Sequence, residues 1–145
     1  MSIDYNELKK GGFLKQRQKD NFIVRFRSLA GNLSSEDLRR LADLADKYGK
    51  GYVHVTTRQG VEIPWVGIKD YGTIKREIRG AGLNTGTCGP RIRTVAACPG
   101  VEVCQFGLMN SRETAVRIDK AFFGRPVPMK TKIGVSGCPN SLCRR

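Results

Sequence analysis

Four cysteines near the carboxyl end lie in two closely spaced pairs. Five residues separate Cys98 from Cys104, and four residues separate Cys138 from Cys143. Thiolates carried on two loops can converge on one [4Fe–4S] cluster, which takes four cysteine sulfurs as its ligands. A proline directly follows both Cys98 and Cys138, so neither loop continues as a helix at that point. The residue types and their spacing therefore favour an iron–sulfur site.

Two other interpretations of these cysteines stay open. A zinc site usually has two to four residues between paired ligands, and the gap after Cys98 is wider than that. Buried structural thiols are the second alternative, and Cys88, which belongs to neither pair, is interpreted in that way. A disulfide scaffold is not expected, because the amino terminus carries no apolar signal segment and the chain is interpreted as cytoplasmic.

The charge of the chain indicates an anionic partner. Its 145 residues include 26 Lys and Arg and 13 Asp and Glu, which gives a net charge of +13. Residues 88–145 hold 10 basic and 3 acidic residues, and the basic ones stand among glycines, prolines and cysteines. That placement favours a small anion over nucleic acid, which would call for a basic stripe interleaved with aromatic residues. No apolar run reaches the roughly 18–20 residues that cross a membrane, so no membrane partner is expected.

Hydrophobic periodicity predicts an α+β fold for the first part of the chain. Strands are predicted over 22–28, 52–57 and 61–66 from apolar alternation and β-branched residues. Ser34 is a helix N-cap that precedes an apolar stripe, and Asp70 begins a second short helix. The resulting order β-α-β-β-α is typical of a ferredoxin-like sandwich.

After Gly82 the composition shifts, and a domain boundary is predicted in the loop that follows. Asn110 caps a helix predicted over 110–123, whose inward face is predicted to consist of Ala115, Val116, Ile118, Ala121 and Phe122. A strand is predicted over 129–135, which would place Lys130 and Lys132 on one face. Residues 1–20 are interpreted as a polar arm with at most one helical turn.

Three motifs resemble one known family. Residues 87–100 (TCGPRIRTVAACPG) and residues 136–141 (SGCPNS) resemble the sirohaem and [4Fe–4S] signature of sulfite and nitrite reductases. Residues 56–60 (TTRQG) are similar to the ferredoxin-like half-domain of that family. The resemblance implies an α+β chain with an N-terminal arm (1–20), a ferredoxin-like half-domain (21–83) and part of an α/β sirohaem-binding domain (84–145).

The resemblance also implies cofactors, a reaction and a set of site residues. The expected cofactors are a [4Fe–4S] cluster and a sirohaem, and the expected reaction is the six-electron reduction of sulfite to sulfide or of nitrite to ammonia. The implied cluster ligands are Cys98, Cys104, Cys138 and Cys143, the last of which would bridge to the sirohaem iron. The cations implied around the substrate anion are Arg58, Arg93, Lys130 and Lys132. Arg91 and Gln59 are implied as sirohaem contacts, and solvated surface charge is the alternative interpretation of all the basic residues.

Two departures from the family pattern bear on these expectations. Leu142 makes the second cysteine pair C-x4-C where the family usually has C-x3-C, and the chain ends two residues after Cys143. The second domain is therefore expected to be truncated at its carboxyl end. A homodimer is expected because the family combines two half-domains, and an acidic ferredoxin-type electron donor is expected from the positive charge. A haem-free iron–sulfur electron carrier and a basic nucleic-acid-binding module are the alternative functions.

Overall fold

The computed structural model describes residues 4–140, which form two compact units. The first unit comprises the described residues up to Ser28 together with Leu33–Gly89, and the second comprises Leu29–Asn32 together with the described residues from Pro90 onward. The helices are α1 (Tyr5–Lys10), α2 (Ser35–Tyr48), α3 (Tyr71–Gly80) and α4 (Ser111–Phe122). The strands are β1 (Phe13–Lys15), β2 (Asn21–Phe26), β3 (His54–Val55), β4 (Val61–Gly67), β5 (Ala96–Ala97) and β6 (Gly134–Val135).

The first unit is an antiparallel sheet covered by helices. Its strand order is β1-β2-β4-β3, and every neighbouring pair is antiparallel. Alternate residues of β2 are buried, as expected for a strand with one face on the core. The element order from β2 to α3 is β-α-β-β-α, so the prediction of an α+β fold with a ferredoxin-like half-domain is confirmed.

Helix α2 begins where the sequence predicts. The Ser34 hydroxyl accepts a hydrogen bond from the Asp37 amide at 3.0 Å, and the Asp37 carboxylate accepts one from the Ser34 amide at 3.1 Å. This reciprocal capping box satisfies two backbone amides that the first turn would leave without a partner. The buried face of the helix consists of Leu41, Leu44 and Ala45. With 14 residues α2 is the longest helix among residues 4–140, and none of the helices there could span a bilayer.

The amino-terminal segment differs from the predicted polar arm. Its described residues form α1 and then β1, which adds an antiparallel edge strand to β2 with Phe13 opposite Val24. Leu8 and Phe13 are buried in the core of the first unit. The prediction missed these elements because β1 is only three residues long and its pairing partner lies outside its own sequence window.

The second unit is built on two short parallel strands and one helix. Ala96 and Ala97 of β5 pair with Gly134 and Val135 of β6. The predicted strand over 129–135 is thus wrong for most of its length, since only the last two residues are a strand and Met129 is exposed. The core of the second unit consists of Ala30, Val95, Ala97 and Ala115. Four partly buried side chains pack around them: Val116, Ile118, Ile133 and Val135.

Helix α4 buries only part of the predicted face, since Ala115 is in the core and Val116 and Ile118 pack against it. Asn110 is its N-cap as expected, and its side chain accepts a hydrogen bond from the Glu113 amide at 3.0 Å. The buried residues are Ser111, Ala115 and Asp119, spaced four apart, whereas Ala121 and Phe122 are exposed. The prediction followed apolar residues only, and two of the three buried positions are polar.

Candidate functional site

The Cys98 sulfur lies in a small group of hydrogen-bond donors. Cys98 follows β5 directly, and its amide donates to the Val135 carbonyl at 3.2 Å, which prolongs the parallel pairing with β6. The Gly137 amide donates to the Cys98 Sγ at 3.1 Å. The Ser111 hydroxyl oxygen lies 3.3 Å from the same sulfur and 2.8 Å from the Cys98 carbonyl oxygen, so its single proton can be donated to either atom. The sulfur is therefore contacted by the backbone just after β6 and by the first residue of α4.

These donors change the acidity of the thiol. The Ser111 hydroxyl is the main reason why the pKa of Cys98 is lowered from its usual value. Burial acts in the opposite direction, and the Gly137 amide lowers the pKa further. A thiolate, not a thiol, is the form that binds metal, so the surroundings of Cys98 suit a metal ligand.

The loop that carries Cys104 lies against the loop that carries Cys138. The Leu108 amide donates to the Gly137 carbonyl at 2.8 Å. A Cβ added to Gly137 would lie 3.1 Å from the Gly100 Cα, so the two chains approach closely at a pair of glycines. The Cys104 amide itself donates to the Gly100 carbonyl at 2.9 Å. The tertiary structure thus brings the loops of Cys98, Cys104 and Cys138 into contact.

The donor set fits an iron–sulfur cluster in chemical type, and the described residues supply part of it. Cys98, Cys104 and Cys138 are free thiols of intermediate exposure. Among residues 4–140 no three His, Cys, Asp or Glu side chains gather closely enough to hold a metal ion. The fourth predicted ligand, Cys143, lies outside the described residues. Cys88 belongs to the first unit, outside the two cysteine pairs, and has intermediate exposure.

Two of the predicted cations lie on the segment that leads into β5. The guanidinium of Arg91 donates to the Gly124 carbonyl at 2.6 Å, which anchors it to the end of α4. Arg93 is 8% exposed and is the most buried of the predicted site residues that carry a charge. A buried guanidinium interacts more strongly with an anion than a solvated one, because the surroundings screen its charge less.

Lys130 and Lys132 lie beside these arginines in the second unit. Between the two lysines, the Thr131 amide donates to the Arg91 carbonyl at 3.3 Å and the Arg93 amide donates to the Thr131 carbonyl at 3.0 Å. Both lysine side chains are exposed. The backbone pairing therefore brings Arg91, Arg93 and the two lysines into one small region, although the lysines do not lie on a regular strand.

Arg58 and Gln59 lie in the turn between β3 and β4 of the first unit. The Thr56 amide donates to the Gly60 carbonyl at 2.8 Å, and the Thr56 hydroxyl accepts from the Gly60 amide at 3.0 Å. Gln59 has a left-handed backbone (φ 60°), and its carbonyl accepts a hydrogen bond from the buried Ser28 hydroxyl. The turn is thus firmly held, and both side chains have intermediate exposure.

Three residues that shape this site are not predicted by any motif in the sequence. Ser111 and Asp119 are both 0% exposed, and the Asp119 carboxylate accepts a hydrogen bond from the Val95 amide at 2.9 Å. Gly100 has a left-handed backbone (φ 65°) and packs against Ser111. The only sequence signal for the two polar residues was their spacing of eight along the helix, with Ala115 midway between them.

Two family profiles match most of the chain. Residues 14–81 match the ferredoxin-like half domain of nitrite and sulfite reductases. Residues 88–144 match the 4Fe-4S domain of nitrite and sulphite reductases. The second match spans all of the predicted cluster ligands, and the first spans Arg58 and Gln59.

Similar proteins carry related names. A coenzyme F420-dependent sulfite reductase of Methanocaldococcus jannaschii is 35% identical over 134 residues, which are 92% of this chain and 22% of that protein. A ferredoxin–nitrite reductase of Synechococcus elongatus is 30% identical over 131 residues, which are 90% of this chain and 25% of that protein. The solved structure of the Mycobacterium tuberculosis NirA protein shares the fold with a TM-score of 0.77 at 23% identity, over 94% of this chain and 30% of that one. The chain thus spans less than a third of each.

Proposed function

The chain belongs to the nitrite and sulfite reductase family, and on that premise we propose that it takes part in the sirohaem- and [4Fe–4S]-dependent reduction of sulfite or nitrite. The observation that carries this proposal is the Cys98 sulfur, which accepts a hydrogen bond from the Gly137 amide beside Cys138. That contact joins the two cysteine loops within the segment that matches the 4Fe-4S domain.

The cysteines are proposed to hold the cluster. Cys98, Cys104 and Cys138 would supply three thiolates, and Cys143, which lies outside the described residues, would supply the fourth and the link to the sirohaem. Ser111 and the Gly137 amide stabilise negative charge on the Cys98 sulfur, as hydrogen bonds to cluster sulfurs do in tuning a reduction potential. When bound, the cluster and the sirohaem would carry electrons from an external donor to the substrate anion.

The basic residues are proposed to hold the substrate anion. Arg58, Arg93, Lys130 and Lys132 neutralise the charge of sulfite or nitrite and donate hydrogen bonds to its oxygens. The buried Arg93 contributes most to binding, because its charge is poorly screened. The exposed lysines are proposed to donate protons to the oxygens of the anion as the bonds of those oxygens to sulfur or nitrogen break. Arg91 and Gln59 are proposed to contact the carboxylates of the sirohaem.

The electron donor and the assembly are part of the same proposal. The net charge of +13 attracts an acidic, ferredoxin-type donor and makes its association faster at low ionic strength. The names of the two relatives show that reductases similar to this chain use ferredoxin or coenzyme F420. Residues 14–81 match one ferredoxin-like half domain, and we propose that a second copy of the chain supplies the other.

Loss of a ligand cysteine is expected to abolish iron binding. After anaerobic reconstitution, the chain is expected to bind about four iron atoms, and Cys98→Ala or Cys138→Ala is expected to bind almost none, since a [4Fe–4S] cluster needs all its thiolates. Iron and sulfide analysis with the visible absorbance checks this. Cys88→Ala is the matched control and is expected to keep its iron. A colourless, iron-free parent chain would contradict the proposal.

Replacing the two lysines distinguishes a reductase from a haem-free electron carrier. In the sirohaem-loaded protein, Lys130→Met and Lys132→Met are each expected to lower kcat/KM for sulfite or nitrite by about a hundredfold, the scale seen when one preorganised donor is removed. Lys120 is an exposed residue of α4, and Lys120→Met is expected to leave kcat/KM unchanged for both anions. If the lysine variants transfer electrons as the parent does and the parent reduces neither anion, the electron-carrier function is correct.

A further inference from the structure

A pocket of about 350 Å³ lies in the first unit, between β1, the outer face of α3 and the chain that follows α3. None of the residues assigned above to the cofactors or to the substrate anion lines it. Its volume falls at the lower end of the range of small-molecule sites, which bind compact ligands by an apolar surface and a few placed polar groups.

The floor of the pocket is apolar and well packed. Phe13, Ile78 and Leu83 line it, and each is less than 9% exposed. The ring of Phe13 meets the ring of Tyr71 edge to face, with 4.7 Å between the centroids and 76° between the planes. Edge-to-face rings hold each other in place, so this floor is formed before any ligand arrives.

The rim of the pocket carries two cations on α3. Tyr71, Lys75 and Arg79 are spaced four apart and therefore lie along one side of the helix. The Lys75 ammonium donates to the Tyr71 hydroxyl at 3.2 Å, which holds it over the pocket wall. No residue lining the pocket is acidic.

Within residues 4–140 neither cation is ion-paired with a carboxylate. Some other cations of this unit do have such a partner. Lys47, for example, is ion-paired with Glu77, which stands between Lys75 and Arg79 in the sequence of α3 but contacts α2. A rim with two such cations above an apolar floor matches a ligand that has an apolar body and one anionic end.

We propose that this pocket binds a small organic carboxylate with an aromatic or branched aliphatic body. The body packs against the half-buried Tyr71 ring and the small exposed parts of Phe13, Ile78 and Leu83, and the carboxylate accepts hydrogen bonds from the exposed Lys75 and Arg79. Charge-assisted hydrogen bonds of this kind are the strong ones, and the apolar floor adds affinity without specificity. The site is separate from the proposed reductase chemistry and needs neither cofactor.

Titration of the chain with hydrocinnamate, followed by heteronuclear NMR, tests the proposal. Saturable shifts are expected at the amides of Tyr71, Leu83 and Thr85. Lys75→Met and Arg79→Met are each expected to weaken binding by about five- to tenfold, the scale of one charge-assisted hydrogen bond. Arg76→Met, on the same helix but outside the pocket, is the matched control and is expected to bind as the parent does.

A neutral analogue isolates the role of the charge. Hydrocinnamamide has the same body without the negative end, and its affinity is expected to fall by a similar factor. Equal affinity for both compounds, equal binding by the lysine and arginine variants, or no saturable shift at these amides at millimolar ligand would each overturn the proposal. Because the measurement uses the chain without cluster, sirohaem or sulfite, its outcome is independent of the reductase function.

Discussion

Gly100→Ala is expected to destabilise the second unit by about 3 kcal/mol or more, the sum of a left-handed backbone strain and an overpacked contact. Gly100 has φ 65°, and an added Cβ would lie 2.4 Å from the Ser111 Oγ and 2.8 Å from the Met109 carbonyl oxygen. Neither neighbour can move away easily, because Ser111 is fully buried and the Met109 carbonyl accepts a hydrogen bond from the Val101 amide. Hydrogen exchange of the α4 amides, measured by mass spectrometry, reports the loss.

Gly124→Ala is the control for the backbone part of this effect. Gly124 has φ 75°, and an added Cβ would meet nothing within 4 Å. It is therefore expected to cost about 1–2 kcal/mol, the left-handed strain alone. The difference between the variants measures the close contact that brings the Cys98 loop onto the start of α4. Equal effects would show that Gly100 is needed for its backbone only.

Asp119→Ala is expected to lower the free energy of unfolding of the second unit by about 2–3 kcal/mol, because it leaves a buried amide without its acceptor. The Asp119 carboxylate is 0% exposed and accepts from the Val95 amide, 24 residues away in the chain. Val95 stands between Arg93 and β5, so the loss also loosens the segment that leads to Cys98. Urea unfolding followed by circular dichroism and exchange of the Val95 amide check this.

Two further variants separate the hydrogen bond from the helix itself. Asp119→Asn keeps an acceptor oxygen and is expected to lose less stability than Asp119→Ala. Glu113→Ala alters an exposed residue of the same helix and is expected to change stability by no more than about 0.5 kcal/mol. If Glu113→Ala were as harmful as Asp119→Ala, the effect would belong to α4 as a whole and not to the bond to Val95.

Local signals predicted the elements whose causes are local. The capping box of Ser34 and Asp37 and the N-cap Asn110 satisfy amides within one turn, so a short stretch of sequence suffices to place α2 and α4. The alternation of β2 was likewise visible because every second residue faces the core. Strand β1 was missed, since three residues carry no periodicity and their stability comes from β2.

The candidate site also has features that the sequence predicted and features that it did not. The spacing of the cysteines and the motif around Arg93 indicated the chemistry, because the ligand types of an iron–sulfur site are a property of the residues themselves. The prediction of a strand that contains Lys130 and Lys132 was wrong. Single backbone hydrogen bonds join Thr131 to Arg91 and to Arg93, and they do not form a regular β-ladder.

By itself the sequence determined the kind of protein: a basic α+β chain with four thiols in two loops and cations in the same segment. The tertiary structure alone decided which polar groups are buried beside Cys98 and beside the segment that leads to it. Ser111 and Asp119 look like ordinary surface residues of a helix, and they are buried because their partners, Cys98 and Val95, arrive from another part of the chain. Burial of a polar group depends on a distant partner, and no local pattern records that partner.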